Sequence, residues 1–189
     1  MTEINHKERA HAKLSASGAG RWATCPGSVQ MEDGIPDSES VYAKEGTLAH
    51  ELSELKLKHY LDPKGFGKRK LNAAVKKIKE NELYQTEMDS YTDSYVDFIK
   101  EKALSYSSQP YIEIEKRVDF SKWVEGGFGT CDCIIIHGNT LSIVDLKYGK
   151  GVPVSAEQNE QLILYALGAY EAFSLIYQID HVEMNIVQP

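Results

Sequence analysis

Cysteine is scarce in this chain. The 189 residues hold three, Cys25, Cys131 and Cys133, an odd count with no CxxC pair. That argues against a disulfide framework. Cys131 and Cys133 lie two apart in a β-type run, so both are expected to point the same way as reduced core thiols. No apolar run approaches the roughly 18 residues of a membrane span. The opening MTEINHKERAHAK is polar and lacks an apolar signal region, so a cytosolic protein is expected. Excess positive charge is missing too. The net charge of −7 argues against a protein that simply coats nucleic acid.

One stretch runs against that balance. Lys64, Lys68, Arg69, Lys70, Lys76, Lys77 and Lys79 supply seven of the 21 basic residues, with no acid among them. Outside it, 14 basic residues face 28 acidic ones, a balance of −14. The run reads either as a solvated helix face or as a track for phosphates.

Periodicity divides the chain in two. Residues 1–107 read as mostly helical and 108–189 as a β-sheet with a helix, within one domain. Leu14–Cys25 predicts a short helix capped by Ser15 or Ser17 and stopped at Pro26; residues 26–40 predict a loop. Val41–Leu61 carries Leu48, Leu52 and Leu55 on one stripe and ends at Asp62-Pro63. A second helical region covers Leu71–Tyr106, with a break near Asn81. Its stripe of Tyr84, Met88, Tyr91, Tyr95 and Phe98 predicts core packing rather than a platform for bases. Three strands follow: Tyr111–Val118, with Ile112, Ile114 and Val118 on one side, then Phe128–His137 and Thr140–Lys147. Ser155-Ala-Glu-Gln158 resembles a capping box opening a helix of about twenty residues. A last strand, His181–Val187, gives the order helix, three strands, helix, strand. The fold expected is α/β, an α/β/α sandwich around a small mixed sheet with helical additions in front.

The Gly138-Asn139 pair supplies geometry. A tight turn there pairs His137 with Thr140, which puts Asp132 opposite Asp145. Directly opposed side chains have Cβ atoms about 4.5–5.5 Å apart, so two carboxylates at that spacing repel. Thr130, Ile134, Ile136, Leu141 and Ile143 share their face, and Cys131, Cys133, Ile135, Val144 and Leu146 line the other. A sheet apolar on both faces is covered on both sides. Partly buried, opposed carboxylates need compensation, and a hard divalent cation with oxygen ligands provides it. Lys147 follows Asp145 by two and shares its side. Its ammonium suits activation of water or stabilisation of phosphate charge. The plainer reading is an Asp132–Lys147–Asp145 salt-bridge cluster.

These residues carry a resemblance. Gly129-Thr130-Cys131-Asp132, Asp145-Leu146-Lys147 and Gln161-x-x-x-Tyr165 resemble the PD-(D/E)XK nuclease superfamily, and its RecB-like and CRISPR-associated exonuclease branch most closely. Gly46-Thr47-Leu48-Ala49-His50 is similar to that branch's Gly-Thr-x-x-His motif, and Leu14-Ser-Ala-Ser with Cys25-Pro26 to its opening segment. Asp145-Leu-Lys-Tyr-Gly-Lys-Gly, Asn159-x-Gln161 and Tyr165-Ala-Leu-Gly look like a phage-encoded group of uncharacterised function. The resemblance implies a Mg²⁺- or Mn²⁺-dependent deoxyribonuclease, an exonuclease or endonuclease of phage recombination or replication in the bacterial host's cytoplasm. His50, Asp132 and Asp145 are its implied metal ligands, and Lys147 is the implied catalytic lysine with Asp132 and Asp145; the residues themselves add two further candidate ligands, the Leu146 backbone carbonyl and Glu115 on the preceding strand. Gln161 and Tyr165 would contact DNA phosphate or brace the site, with Lys68, Arg69 and Lys70 also on DNA. Without the resemblance, Gln161 reads as a surface residue, Tyr165 as core, and His50 as a surface histidine partnered by Glu54. DNA is the implied partner, with a homo-oligomer or a recombination protein as further candidates. The branch often carries an iron–sulfur cluster held by one early and several late cysteines. Cys25 stands at the early position but no late cysteine follows, so no cluster is expected in this chain. A chain ending at Pro189, directly after a core strand, also fits a fragment of something longer. The alternative function is a nuclease-like domain that binds DNA or a protein without cutting.

Overall fold

The computed structural model describes residues 12–32, 40–149 and 151–189. The expected opening segment up to residue 11, part of the expected loop and Lys150 lie outside them. Four strands form one mixed sheet in the order β1-β2-β3-β4: β1 Tyr111–Asp119, β2 Phe128–His137, β3 Thr140–Leu146 and β4 His181–Val187. The first three form an antiparallel meander, and β4 lies parallel to β3. A parallel neighbour needs a crossover, which a helix after β3 supplies.

The helices precede and interrupt the sheet. They are α1 Ala19–Thr24, α2 Ser28–Met31, α3 Val41–Leu61, α4 Lys68–Lys79, α5 Glu87–Ser105 and the crossover α6 Glu160–Phe173. Helix α3 starts where the Ser40 hydroxyl accepts from the Ala43 N–H, and it stops at Asp62 before Pro63. The turn between α4 and α5 falls at Asn81, as the sequence predicts, although α4 begins three residues earlier. Helix α2 forms inside the stretch expected to be loop. Helix α6 is shorter than expected. Its cap is Asn159, which accepts from Leu162 N–H, while Ser155 only closes the turn before it.

Two cores sandwich the sheet. Helices α1 and α6 cover one face, over Ile134, Ile136, Leu141 and Ile143. Helices α3 and α5 cover the other, over Cys133, Ile135, Val144 and Leu146. Each fully buried Ile or Leu here contributes about 1.5–3 kcal/mol relative to exposure. A third cluster, with Leu48, Leu52, Ile78 and Met88, fastens α4 onto α3 and α5. The architecture is the α/β/α sandwich expected.

The hairpin register is also as expected. Gly138 takes a φ of 58° in the turn, and the pairs run from His137↔Thr140 to Cys133↔Val144. Asp132 and Asp145 are next in line, where the ladder opens.

Alternation breaks at one place. The β1–β2 ladder skips the pair Glu115 and Asp132, and Glu115 has a φ of 50°, in the left-handed region that costs a side chain about 1–2 kcal/mol. Both strands change face there. Ile112, Ile114 and Cys133 face α5, whereas Val118 and Cys131 face α6. The expectation that Ile112, Ile114 and Val118 share a side therefore fails, as does that for Cys131 and Cys133. The twist also brings Glu113 and Lys116, three apart in a strand, to 2.9 Å. All three cysteines are free, Cys25 exposed and the other two buried. Among the described residues no helix is long and apolar enough to cross a membrane.

Candidate metal centre

The break in alternation positions the site. At the opened end of the β2–β3 ladder, the Asp132 carboxylate accepts from the Leu146 N–H at 2.8 Å through Oδ2. Its other oxygen lies 3.4 Å from His50 Nδ1 on α3. Glu115 joins them: one ligand atom each from His50, Glu115 and Asp132 lie within 4.8 Å of one another. An imidazole with two carboxylates, drawn from a helix and two strands, is a donor set for a divalent cation.

Asp145 sits alongside with different partners. Its Oδ1 accepts from Gln161 Nε2 at 3.2 Å. Its Oδ2 is buried, with the Lys147 ammonium 2.9 Å away as its ion-pair partner. Gln161, in the first turn of α6, bridges the site. Its Oε1 accepts from Lys147 Nζ at 2.7 Å, and its Nε2 also donates to the Tyr165 hydroxyl at 3.2 Å. Tyr165 is 5% exposed and packs over Gly129, where an added Cβ would lie 2.8 Å from the ring. Gly129 is therefore needed for Tyr165 to hold Gln161. The glutamine in turn fixes Lys147 against Asp145.

Electrostatics mark the cluster as overloaded with negative charge. Burial, aided by the Asp132 charge, pushes Asp145 up to about 6. Burial also opposes ionisation of Asp132, but His50, the Leu146 N–H and Lys147 override it and hold this carboxyl below its ordinary value. Burial pulls His50 down, yet Asp132, Glu115 and Asp145 reverse that and raise it to about 9. Without a cation, a proton on His50 thus supplies the compensating charge. That is the signature of a site short of positive charge.

The expected residues are largely brought together. His50, Asp132, Asp145, Lys147, Gln161 and Tyr165 converge from α3, β2, β3, the loop that follows β3, and α6. His50 meets Asp132, and Glu54 pairs with Lys58 at 2.7 Å. Leu146 presents its N–H, not its carbonyl, to Asp132. Lys68, Arg69 and Lys70 stand apart, exposed at the start of α4 beside the far end of α3, where His59 Nδ1 meets the Phe66 carbonyl. The nine residues from His50 to His59 span about 13 Å of helix. Glu115, the candidate on β1, joins His50 and Asp132. Its signal was available once the β1–β2 pairing is known, because it falls opposite Asp132.

The family model for a protein of unknown function, DUF2800, matches residues 11–189. The chain belongs to the DUF2800 family. No solved structure matches it. The centre just described is thus the chemical lead for this DUF2800 chain. The donor set fits a hard cation: carboxylate oxygens of Glu115 and Asp132 outnumber the single imidazole nitrogen of His50.

Proposed function

We propose that this DUF2800 chain is a Mg²⁺- or Mn²⁺-dependent deoxyribonuclease that hydrolyses phosphodiester bonds, working as an exonuclease in phage recombination or replication. One observation carries the reading. His50, Glu115 and Asp132 gather their ligand atoms within 4.8 Å, beside a buried Asp145 paired with Lys147. His50, Glu115, Asp132 and Asp145 would hold the cation. A bound divalent cation would supply Lewis-acid neutralisation of a phosphate and a lowered pKa for water.

The chain's own groups have definable work. Gln161 keeps the Lys147 ammonium at the mouth of the site, close to Asp145. From there Nζ can neutralise charge developing on a phosphoryl oxygen. Tyr165 locks Gln161. Lys68, Arg69 and Lys70 would hold phosphates farther along the strand, which positions it without reading its sequence. The net charge of −7 is compatible with this design, because the cation mediates the central phosphate contact.

The second reading is a nuclease-like domain that binds DNA or a protein without cutting. In its favour, His50 with Asp132 and Lys147 with Asp145 already satisfy each other.

The test is degradation of end-labelled single- and double-stranded DNA with Mg²⁺ or Mn²⁺. Hydrolysis should stop with EDTA and fall at least about 100-fold in Asp145→Ala and Lys147→Ala. Hydrolysis that survives both substitutions would place the chemistry elsewhere. Mn²⁺ binding lost in Asp132→Ala without any hydrolysis would favour the non-cutting reading.

A further inference from the structure

A cleft of about 700 Å³ opens beside the centre, and Lys147 belongs to its wall. Clefts of about 300–1,000 Å³ are the size that encloses one small ligand or substituent. Three tyrosines line this one: Tyr42 near the start of α3, Tyr91 on α5 and Tyr148 next to Lys147. Tyr91 and Tyr148 meet edge to face, with ring centroids 6.1 Å apart. Tyr42 is 82% exposed, a large aromatic surface left in water at the cleft's rim. Glu45 and Glu87 also line it, with apolar surface from Val152 and Val154 and amides from Gln85 and Gln188.

The composition discriminates between parts of a nucleotide. The glutamates disfavour a phosphate beside them, whereas the Lys147 ammonium favours one on its side of the cleft. Aromatic rings accept the flat face of a base, whatever its identity. A base inside a duplex has both faces covered by its neighbours and must be extruded at a cost of a few kcal/mol before it can enter. The phosphate attached to a base seated here would lie on the Lys147 side.

We propose that the cleft receives the base of an unpaired nucleotide next to the phosphate to be cut, which makes single-stranded DNA the preferred substrate. This rests on the nuclease reading above and adds the strand form and the residues that select it. Tyr42 and Tyr91 stack on the base, and Tyr148 forms the wall adjoining Lys147.

Anisotropy of a labelled 12-nucleotide strand, alone or as a blunt duplex, tests this in Ca²⁺. Hydrolysis of both forms is followed in parallel with Mn²⁺. The single strand should bind at least about tenfold more tightly than the duplex, and Tyr42→Ala should remove about tenfold of that affinity. Tyr42→Trp should restore it. Tyr42 is so exposed that neither change threatens the fold. Equal binding of both forms, or Tyr42→Ala without effect, overturns the cleft assignment, even if the enzyme cuts DNA. Preferential single-strand binding through Tyr42 with no hydrolysis upholds the cleft and overturns the nuclease reading alone. Failure to bind either form overturns both.

Discussion

Replacing Asp145 with asparagine should make the metal-free protein more stable while removing its response to metal. The side chain is 3% exposed, so solvent screening is slight. Burial and the neighbouring Asp132 raise its carboxyl from 3.8 to about 6. A carboxyl raised in the folded state prefers its proton there. The resulting penalty is absent below the unfolded value near 4, grows through the window up to about 6, and is complete at neutral pH. It corresponds to about 3 kcal/mol. Asparagine escapes that penalty, which is already net of the Lys147 attraction that pulls the carboxyl down. It can still accept from Gln161. The gain at pH 7.5 is therefore about 3 kcal/mol, a rise in Tm of about 6–12 °C for a domain of this size. At pH 4 the advantage should vanish, because wild-type Asp145 is then protonated. Thermal unfolding with EDTA at both pH values reads the first effect, and the same melts with millimolar Mn²⁺ read the second. Wild type should gain Tm with Mn²⁺, as any ligand of the folded state requires, and the variant should gain little. A metal-free variant less stable than wild type at pH 7.5 would refute the charge argument. A variant that responds fully to Mn²⁺ would refute the ligand assignment.

Three other outcomes follow from the same geometry. His50 holds its proton up to about pH 9, and a metal needs the neutral imidazole, so Mn²⁺ affinity should climb nearly tenfold per pH unit between pH 6.5 and 8.5 when titrated calorimetrically; a flat profile would remove His50 from the ligand set. Glu115→Gly relieves a φ of 50°, offsetting glycine's entropic cost, so chemical denaturation should detect a change within about 1 kcal/mol while Mn²⁺ affinity falls at least tenfold. Gly129→Ala drives a methyl to 2.8 Å from the Tyr165 ring and 3.3 Å from Ala16, and should cost about 1–3 kcal/mol in the same assay and lower hydrolysis through Gln161 and Lys147; unchanged stability would mean that Tyr165 is not held there.

Much of this molecule follows from local chemistry in the chain. The Gly138-Asn139 turn sets the β2–β3 register because a two-residue loop admits few geometries, and that register brings Asp132 in line with Asp145. The period of apolar residues separates helices from strands, and strands apolar on both faces announce a covered sheet. The tertiary structure decided the rest. No residue type signals the left-handed turn at Glu115, since glutamate disfavours it; packing of two helical layers imposes it, and with it the change of face that sends Cys131 and Val118 toward α6. His50 reaches Asp132 only because α3 lies across the sheet, and Tyr42, Tyr91 and Tyr148 line one cleft only because α3, α5 and the loop after β3 converge. Local propensity acts over a few residues, whereas these contacts join segments up to about a hundred positions apart, which only packing of the whole chain can specify.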